Sequence, residues 1–177
     1  LGTKAIASGD GALSFGANAQ ATALDTMAFG VNALASQGNA TAIGRDAQAT
    51  STNAIAVGLF SKASGTVAVA IGMNSTALAN ESMAIGAFAN SSENNGLALG
   101  TNAQAIAVNA MALGTESYAN TLDAFAAGLR SRATGVNSMA LGMLSNASNT
   151  NAFSAGSCAN ALGINSLAYG TQAYANA

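Results

Sequence analysis

The chain has no histidine, no proline and no tryptophan, and its single cysteine is Cys158. Without histidine, neither a Ser–His nor a Cys–His nucleophile can be built. One cysteine cannot close an internal disulfide or supply a metal cluster, and it leaves the redox compartment unread. Charge is also scarce. Five Lys/Arg and seven Asp/Glu stand among 177 residues, for a net charge of −2. Ordinary soluble domains carry roughly 25% charged residues, and a chain this neutral has no broad basic field for nucleic acid. Low charge does not imply disorder, because disordered chains combine low hydrophobicity with high net charge, whereas half of these residues are hydrophobic. Long apolar runs are missing too. Asn, Ser, Thr or Gln interrupts every short apolar stretch, so no segment of about 18 residues could span a membrane as a helix.

What is present is a period. Gly2, Gly16, Gly30, Gly44, Gly58, Gly72, Gly86, Gly100, Gly114, Gly128, Gly142, Gly156 and Gly170 are each 14 residues apart, with no insertion or deletion. A fixed period of this kind is the mark of a repeat architecture. Fourteen residues equal four turns of 3.5, so helical heptads are one reading, and alanine favours helix. Against it, glycine and clusters of Asn, Ser or Thr would break a helix in every period. The local alternation is that of a strand: in "NSMALG" (137–142), Met139 and Leu141 alternate with Ser138 and Ala140. The reading is therefore an all-β solenoid of 14-residue coils. Each coil has two strands of about five residues and two turns, and the recurrent glycine sits in a turn that needs positive φ.

Position by position, the coils have one large face and one tiny one. One and three residues before the glycine stand Leu13 and Phe15, Met27 and Phe29, Ile55 and Val57, Val69 and Ile71, Met83 and Ile85. The series continues with Leu97 and Leu99, Met111 and Leu113, Met139 and Leu141, Leu167 and Tyr169. Where this row shrinks to Ala127 and Ala155, Phe125 and Phe153 restore the volume, as in a packed layer. Two and four residues before the glycine, and three and five after it, nearly every residue is Ala or Ser. Two closely spaced strands leave a lumen only these fit, so the large side chains must point out of the roll. That stripe exceeds the apolar patch a soluble monomer tolerates. At roughly 1.5–3 kcal/mol per fully buried large side chain, it holds most of the available driving force. The chain is expected to be an obligate oligomer with the stripe as its interface.

The motifs "NSMALG" (137–142), "NAMALG" (109–114), "NAIAVG" (53–58) and "ESMAIG" (81–86) resemble the head domain of the YadA-like trimeric autotransporter adhesins. The resemblance spans the whole chain. It implies a left-handed parallel β-roll assembled as a homotrimer, with the stripe from Leu13 to Tyr169 on the three-fold axis. Handedness and copy number come from the resemblance; the residues themselves argue only for an oligomer. It also implies a bacterial cell surface and an outer-membrane anchor. Because the chain begins at Leu1 without a start methionine or targeting segment, residues 1–177 are expected to be one head domain of a longer protein, its stalk and anchor lying outside them.

Other chemistry finds little support, and no cofactor, metal site or catalytic residue is expected. The left-handed hexapeptide acyltransferases share a solenoid shape but need a histidine base and a six-residue period. The seven carboxylates do not form the repeated Asp pattern of calcium-binding solenoids. "GDG" (9–11) reads as a turn, since no helix follows it, and the sequons at Asn39–Thr41 and Asn74–Thr76 read as Asn-rich turns. Cys158 takes a turn position usually held by Asn. A regular Thr row, which an ice-binding solenoid would want, breaks at Leu78 and Ile106.

On the outer surface, equivalent residues of adjacent coils should lie about 4.8 Å apart. Glu116 should therefore meet Arg130, and Tyr118 should meet Arg132. With Leu129 nearby, Tyr118, Arg130 and Arg132 are a candidate ligand-binding patch of hot-spot residue types; the alternative is an ion pair and a stack of purely structural meaning. Phe60 and Phe88, at the same turn position as Arg130, could pack on a sister chain. The expected function is an adhesin head that binds host extracellular matrix proteins or cell-surface receptors through its outer sheets. A spacer that lengthens the fibre without binding anything is the alternative.

Overall fold

The computed structural model describes residues 2–176, all of them in strands, turns and their connections. Two compact units, Leu1–Phe88 and Ala89–Ala177, are built from the same coil. Each coil contributes a two-residue strand such as Gln48–Ala49 and a three-residue strand such as Ile55–Val57. In Leu1–Phe88 the short strands, from Ile6–Ala7 to Thr76–Ala77, stack in chain order as one parallel sheet. The long strands, from Leu13–Phe15 to Met83–Ile85, form the other. The second unit repeats this from Asn90–Ser91 to Tyr174–Ala175 and from Leu97–Leu99 to Leu167–Tyr169. The register is always 14, as Ala56↔Ala70 and Ala112↔Ala126 illustrate. The chain is an all-β parallel β-solenoid of about twelve coils, as the glycine period predicts.

The strands are shorter than the five residues expected, and the backbone explains why. Two positions in every coil adopt the left-handed conformation. One lies two residues after the recurrent glycine (Asn18, Asn32, Asn74, Asn102), the other five before the next (Asn39, Asn53, Asn109, Asn151), with φ near 55°. Such residues reverse the chain and end the pleat. Asn is the non-glycine residue that tolerates this conformation best, and its recurrence is the unread signal of the turns. Side-chain amides then bridge coil to coil: Asn95 Nδ2 donates to Asn109 Oδ1 at 3.1 Å, and Asn109 Nδ2 to Asp123 Oδ1 at 2.8 Å. Inter-coil backbone bonds continue through the turns, as when Asp46 N–H donates to Val31 at 2.9 Å. Gly9–Gly11 is such a turn, with Gly11 at φ 67°.

Between the sheets lies a lumen of small side chains. Ala42, Ala47, Ala49, Ala54 and Ala56 are wholly buried, and so are their counterparts in neighbouring coils. Most lumen serines return the hydroxyl to a turn: Ser61 Oγ donates to the Gly58 carbonyl at 3.0 Å, and Ser75 repeats this with Gly72 at 2.9 Å. Thr26 does the same with the carbonyl of Ala23 at 2.7 Å. Gly96 is a local trade of volume, since a Cβ there would meet Ser91 Oγ at 2.5 Å.

The recurrent glycine has two reasons, one of them invisible in the sequence. At Gly72, φ is 131°, as expected for its turn. A Cβ on Gly72 would also meet the Gly86 carbonyl oxygen at 2.5 Å, backbone that cannot move aside. Gly38 differs: its nearest neighbour would be the Leu24 carbonyl, 3.9 Å away. Gly72→Ala should therefore destabilise the fold by at least about 2 kcal/mol, while Gly38→Ala should be neutral or stabilise by up to about 1 kcal/mol. Chemical denaturation of both variants beside the parent checks this contrast.

Candidate functional site

The two sheets present opposite chemistry to the outside. On the long strands the middle residue enters the lumen and its neighbours point out, so the burial of Leu13–Phe15 reads exposed, buried, exposed. Leu13 is 47% and Phe15 40% exposed, and the two phenyl rings of Phe15 and Phe29 stack with centroids 4.9 Å apart. Ile55, Ile71, Met83, Leu99 and Met111 are likewise exposed, while Met27, Phe29, Ile85, Leu141 and Phe153 are half-buried by adjacent coils. In each unit the structure thus places the predicted stripe residues on the outer face of the long-strand sheet. It adds Ile43, in the coil the stripe had skipped, whose partner position is Thr41.

In each unit the short-strand sheet is mostly polar outside, with Gln20, Gln48 and Lys62 in the row of the first and Gln104, Arg132 and Asn146 in that of the second. Here the predicted patch is assembled as its register requires. Tyr118 pairs with Arg132 across adjacent strands, and the guanidinium lies 5.2 Å from the ring centroid. Arg130 grips Glu116 with two hydrogen bonds, Nε to Oε2 at 2.7 Å and Nη2 to Oε1 at 3.3 Å. Both residues occupy the left-handed turn position, with φ of 55° and 56°. This arrangement leaves Arg132 stacked but without a carboxylate partner among the described residues, whereas Arg130 is neutralised. Phe60 is engaged within its own chain, because the Arg45 guanidinium lies 5.7 Å from its ring centroid. The short interval between Arg45 and Phe60, one residue over a coil, could have disclosed that contact.

The family follows from this geometry. A parallel solenoid of 14-residue coils, filled with alanine and bare on one apolar face, defines a class of repetitive β-roll scaffolds. The family model of the YadA head domain repeat (two copies) matches residues 1–19, 21–47, 49–75, 77–103, 105–131 and 133–157. The chain belongs to the YadA head domain repeat family. Among solved structures, it is similar to the crystal structure of the collagen-binding domain of the Yersinia adhesin YadA. That likeness has 30% identity and a TM-score of 0.53, covering 84% of this chain and 68% of the other. Comparison with curated proteins found no match.

The Glu116–Arg130 pair can be checked directly. The hydrogen bonding from Arg130 holds the Glu116 carboxyl below the ordinary carboxylate value, against the opposing effect of desolvation and with a smaller contribution from the Arg130 charge. A carboxyl depressed on folding contributes stability above its unfolded value and loses it as pH falls through the depressed one. NMR titration should find the Glu116 midpoint below that of a free glutamate and restored in Arg130→Gln. Added salt should narrow the difference, since the pair is exposed.

Proposed function

We propose that this chain is the head of a bacterial surface adhesin, a homotrimer with its long-strand sheets around the axis and its short-strand sheets facing outward. Residues 1–177 are read as one head domain. The observation that carries the reading is the unequal exposure of the sheets in each unit: one bares a row of Leu, Ile, Val, Met and Phe, the other a row rich in Gln, Asn, Lys and Arg. Burying the first while wetting the second is the stable arrangement for a chain whose lumen holds little more than methyl groups. Cyclic closure around the apolar face achieves it.

Family membership supports a non-catalytic, adhesive role at the cell surface. The similar Yersinia domain is described as collagen-binding, which makes host matrix proteins the first ligand class to test, with cell-surface receptors second. The described residues enclose no pocket, so a ligand would lie across an open sheet, contacted weakly at many points. Repetition around an axis turns such contacts into avidity. On that sheet and the turn leading into it, the best candidate is the cluster of Tyr118, Arg130 and Arg132, where one cation is stacked and uncompensated.

Assembly is tested at Ile85. The parent should sediment at three times 17.1 kDa, and Ile85→Asp should abolish the trimer. Three unpaired carboxylates around one axis cost several kcal/mol each. A variant that stays trimeric with the parent's melting midpoint would refute the placement of the axis.

Binding is tested with Tyr118→Ser, Arg130→Asn and Arg132→Gln combined, against collagen, other matrix proteins and host cells. These substitutions leave lumen and axis untouched, so the trimer should persist. Apparent affinity should fall by at least about tenfold, because each copy loses the same contacts. Unchanged binding would move the site elsewhere on the sheet; a parent that binds nothing would favour the spacer reading.

A further inference from the structure

Four of the five cations in the chain stand on two pairs of adjacent coils. Arg130 and Arg132 belong to the patch already described. Arg45 and Lys62, in the first unit, lie outside it. Lys62 extends from the outer face of the short-strand sheet, between Gln48 and Thr76 on the neighbouring strands. Two residues before it, in the turn leading into that strand, Phe60 is 48% exposed. The guanidinium of Arg45, one coil back, lies 5.7 Å from the ring centroid, and 60% of the Arg45 side chain remains exposed.

Neither cation is hydrogen-bonded to a carboxylate among the described residues. Asp46 Oδ2 lies 3.7 Å from Arg45 Nε, whereas its Oδ1 accepts from Asn32 Nδ2 at 2.9 Å. Arg130, by contrast, has Glu116 at 2.7 Å. Lys62 has no carboxylate within reach. Beside these cations the same face carries the Gln48 amide and two linked hydroxyls, with Thr50 Oγ1 donating to Ser64 Oγ at 3.3 Å. Phe60 also holds a left-handed backbone, φ 56°, where other coils place Asn. A phenyl ring is poorly suited to that conformation, and Arg45 covers only part of it.

We propose that Arg45, Phe60 and Lys62 form a second binding site, which takes a linear polysaccharide carrying carboxylate groups. An exposed aromatic ring stacks on the C–H face of a sugar. The guanidinium and ammonium groups beside it hold a carboxylate by charge-assisted hydrogen bonds. Gln48, Thr50 and Ser64 each donate and accept, as a row of sugar hydroxyls requires. A peptide strand fits less well, because the backbone here is already paired between coils. Gln48 N–H donates to Ser61 and Lys62 N–H to Ser75, each at 2.9 Å. Strand addition needs a free edge, and this place has none. The surface is open, so a single sugar is held weakly and a polymer crossing several copies of the site is held by avidity. The site rests on the outward short-strand sheet of the trimer proposed above, but it shares no residue with the Tyr118 patch.

Hyaluronan is the probe, because it carries a carboxylate on alternate sugars and no sulfate. The variant combines Arg45→Thr, Phe60→Asn and Lys62→Gln, each a residue that other coils hold at the same position. Its sedimentation should match the parent's, and its melting midpoint should be no lower. Apparent affinity for immobilised hyaluronan should fall by at least about tenfold. The parent's own binding should weaken with added salt and disappear when the hyaluronan carboxylates are methyl-esterified. Collagen binding, read on the same samples, separates this site from the adhesin reading. Collagen bound but hyaluronan ignored would overturn the site and leave that reading standing. Equal hyaluronan binding by variant and parent would overturn it too. Binding of heparin in place of hyaluronan would overturn the carboxylate assignment, sulfate then being the group recognised.

Discussion

The separation of the two sheets governs everything else in this structure. Side chains between them can be no larger than serine or threonine, because the same backbone that closes each coil stacks directly on the next. At Gly72 even a methyl group would strike the Gly86 carbonyl. A core so thin has few carbons to remove from water. Alanine burial contributes little per residue, and the ordering of each backbone unit costs about 1–2 kcal/mol. The fold offsets that cost partly with a lattice of inter-coil hydrogen bonds within each unit, including those through its turns. In the assembly proposed above, the rest comes from apolar groups outside the coil, covered by other chains. On that reading, assembly is a consequence of lumen width rather than an embellishment of the fold.

The same constraint explains which parts of the molecule were legible from residues alone. Period, strand type, the small-residue lumen and the large-residue face all follow from volume, and volume can be read directly from letters. Met139 and Leu141 against Ser138 and Ala140 decide the faces without coordinates. The patch was legible for a related reason: a strict register of 14 makes Tyr118 and Arg132 neighbours by subtraction. What escaped was conformational. Two left-handed residues per coil shorten the strands to three and two residues. The signal existed as recurrent Asn, yet Phe60, Val67, Glu81 and Leu144 hold the same backbone and blur it. Pairing within the turns escaped as well. Arg45 over Phe60 lies between unlike positions of adjacent coils, which a column-by-column reading does not compare.

Asparagine does more here than tolerate a conformation. Its amide is both donor and acceptor, so identical residues can chain along the stack, as Asn137, Asn151 and Asn165 do at 3.4 and 3.0 Å. Aspartate can only accept, and the ladders through Asn32 and Asn109 end on Asp46 and Asp123. Glu116 and Arg130 use the turn position equivalent to Asn32 and Asp46, two residues after the recurrent glycine, for an ion pair. Each is a sideways link between coils, exposed and individually weak, and each discriminates one register from its neighbours. A solenoid of near-identical repeats has many ways to pair out of register, since a slip of one whole coil preserves every lumen contact. Links that differ from coil to coil are what make a slip costly.

Division of labour between the two sheets then frees the outer one. In the proposed assembly the long strands answer to a partner's volume and the lumen to its own width, but the outward positions of the short strands answer only to solvent. That row accommodates Ile6, Gln20, Lys62, Tyr118 and Arg132 without any change of backbone register. A surface free to vary residue by residue, on a scaffold whose other faces cannot, is well suited to recognition by composition rather than by shape. It also sets the limit of such recognition. With no pocket among the described residues to desolvate a ligand, single contacts of the proposed adhesin would stay weak. Its affinity would come from repetition, first coil upon coil and then copy beside copy, the multiplicity that a thin lumen favours.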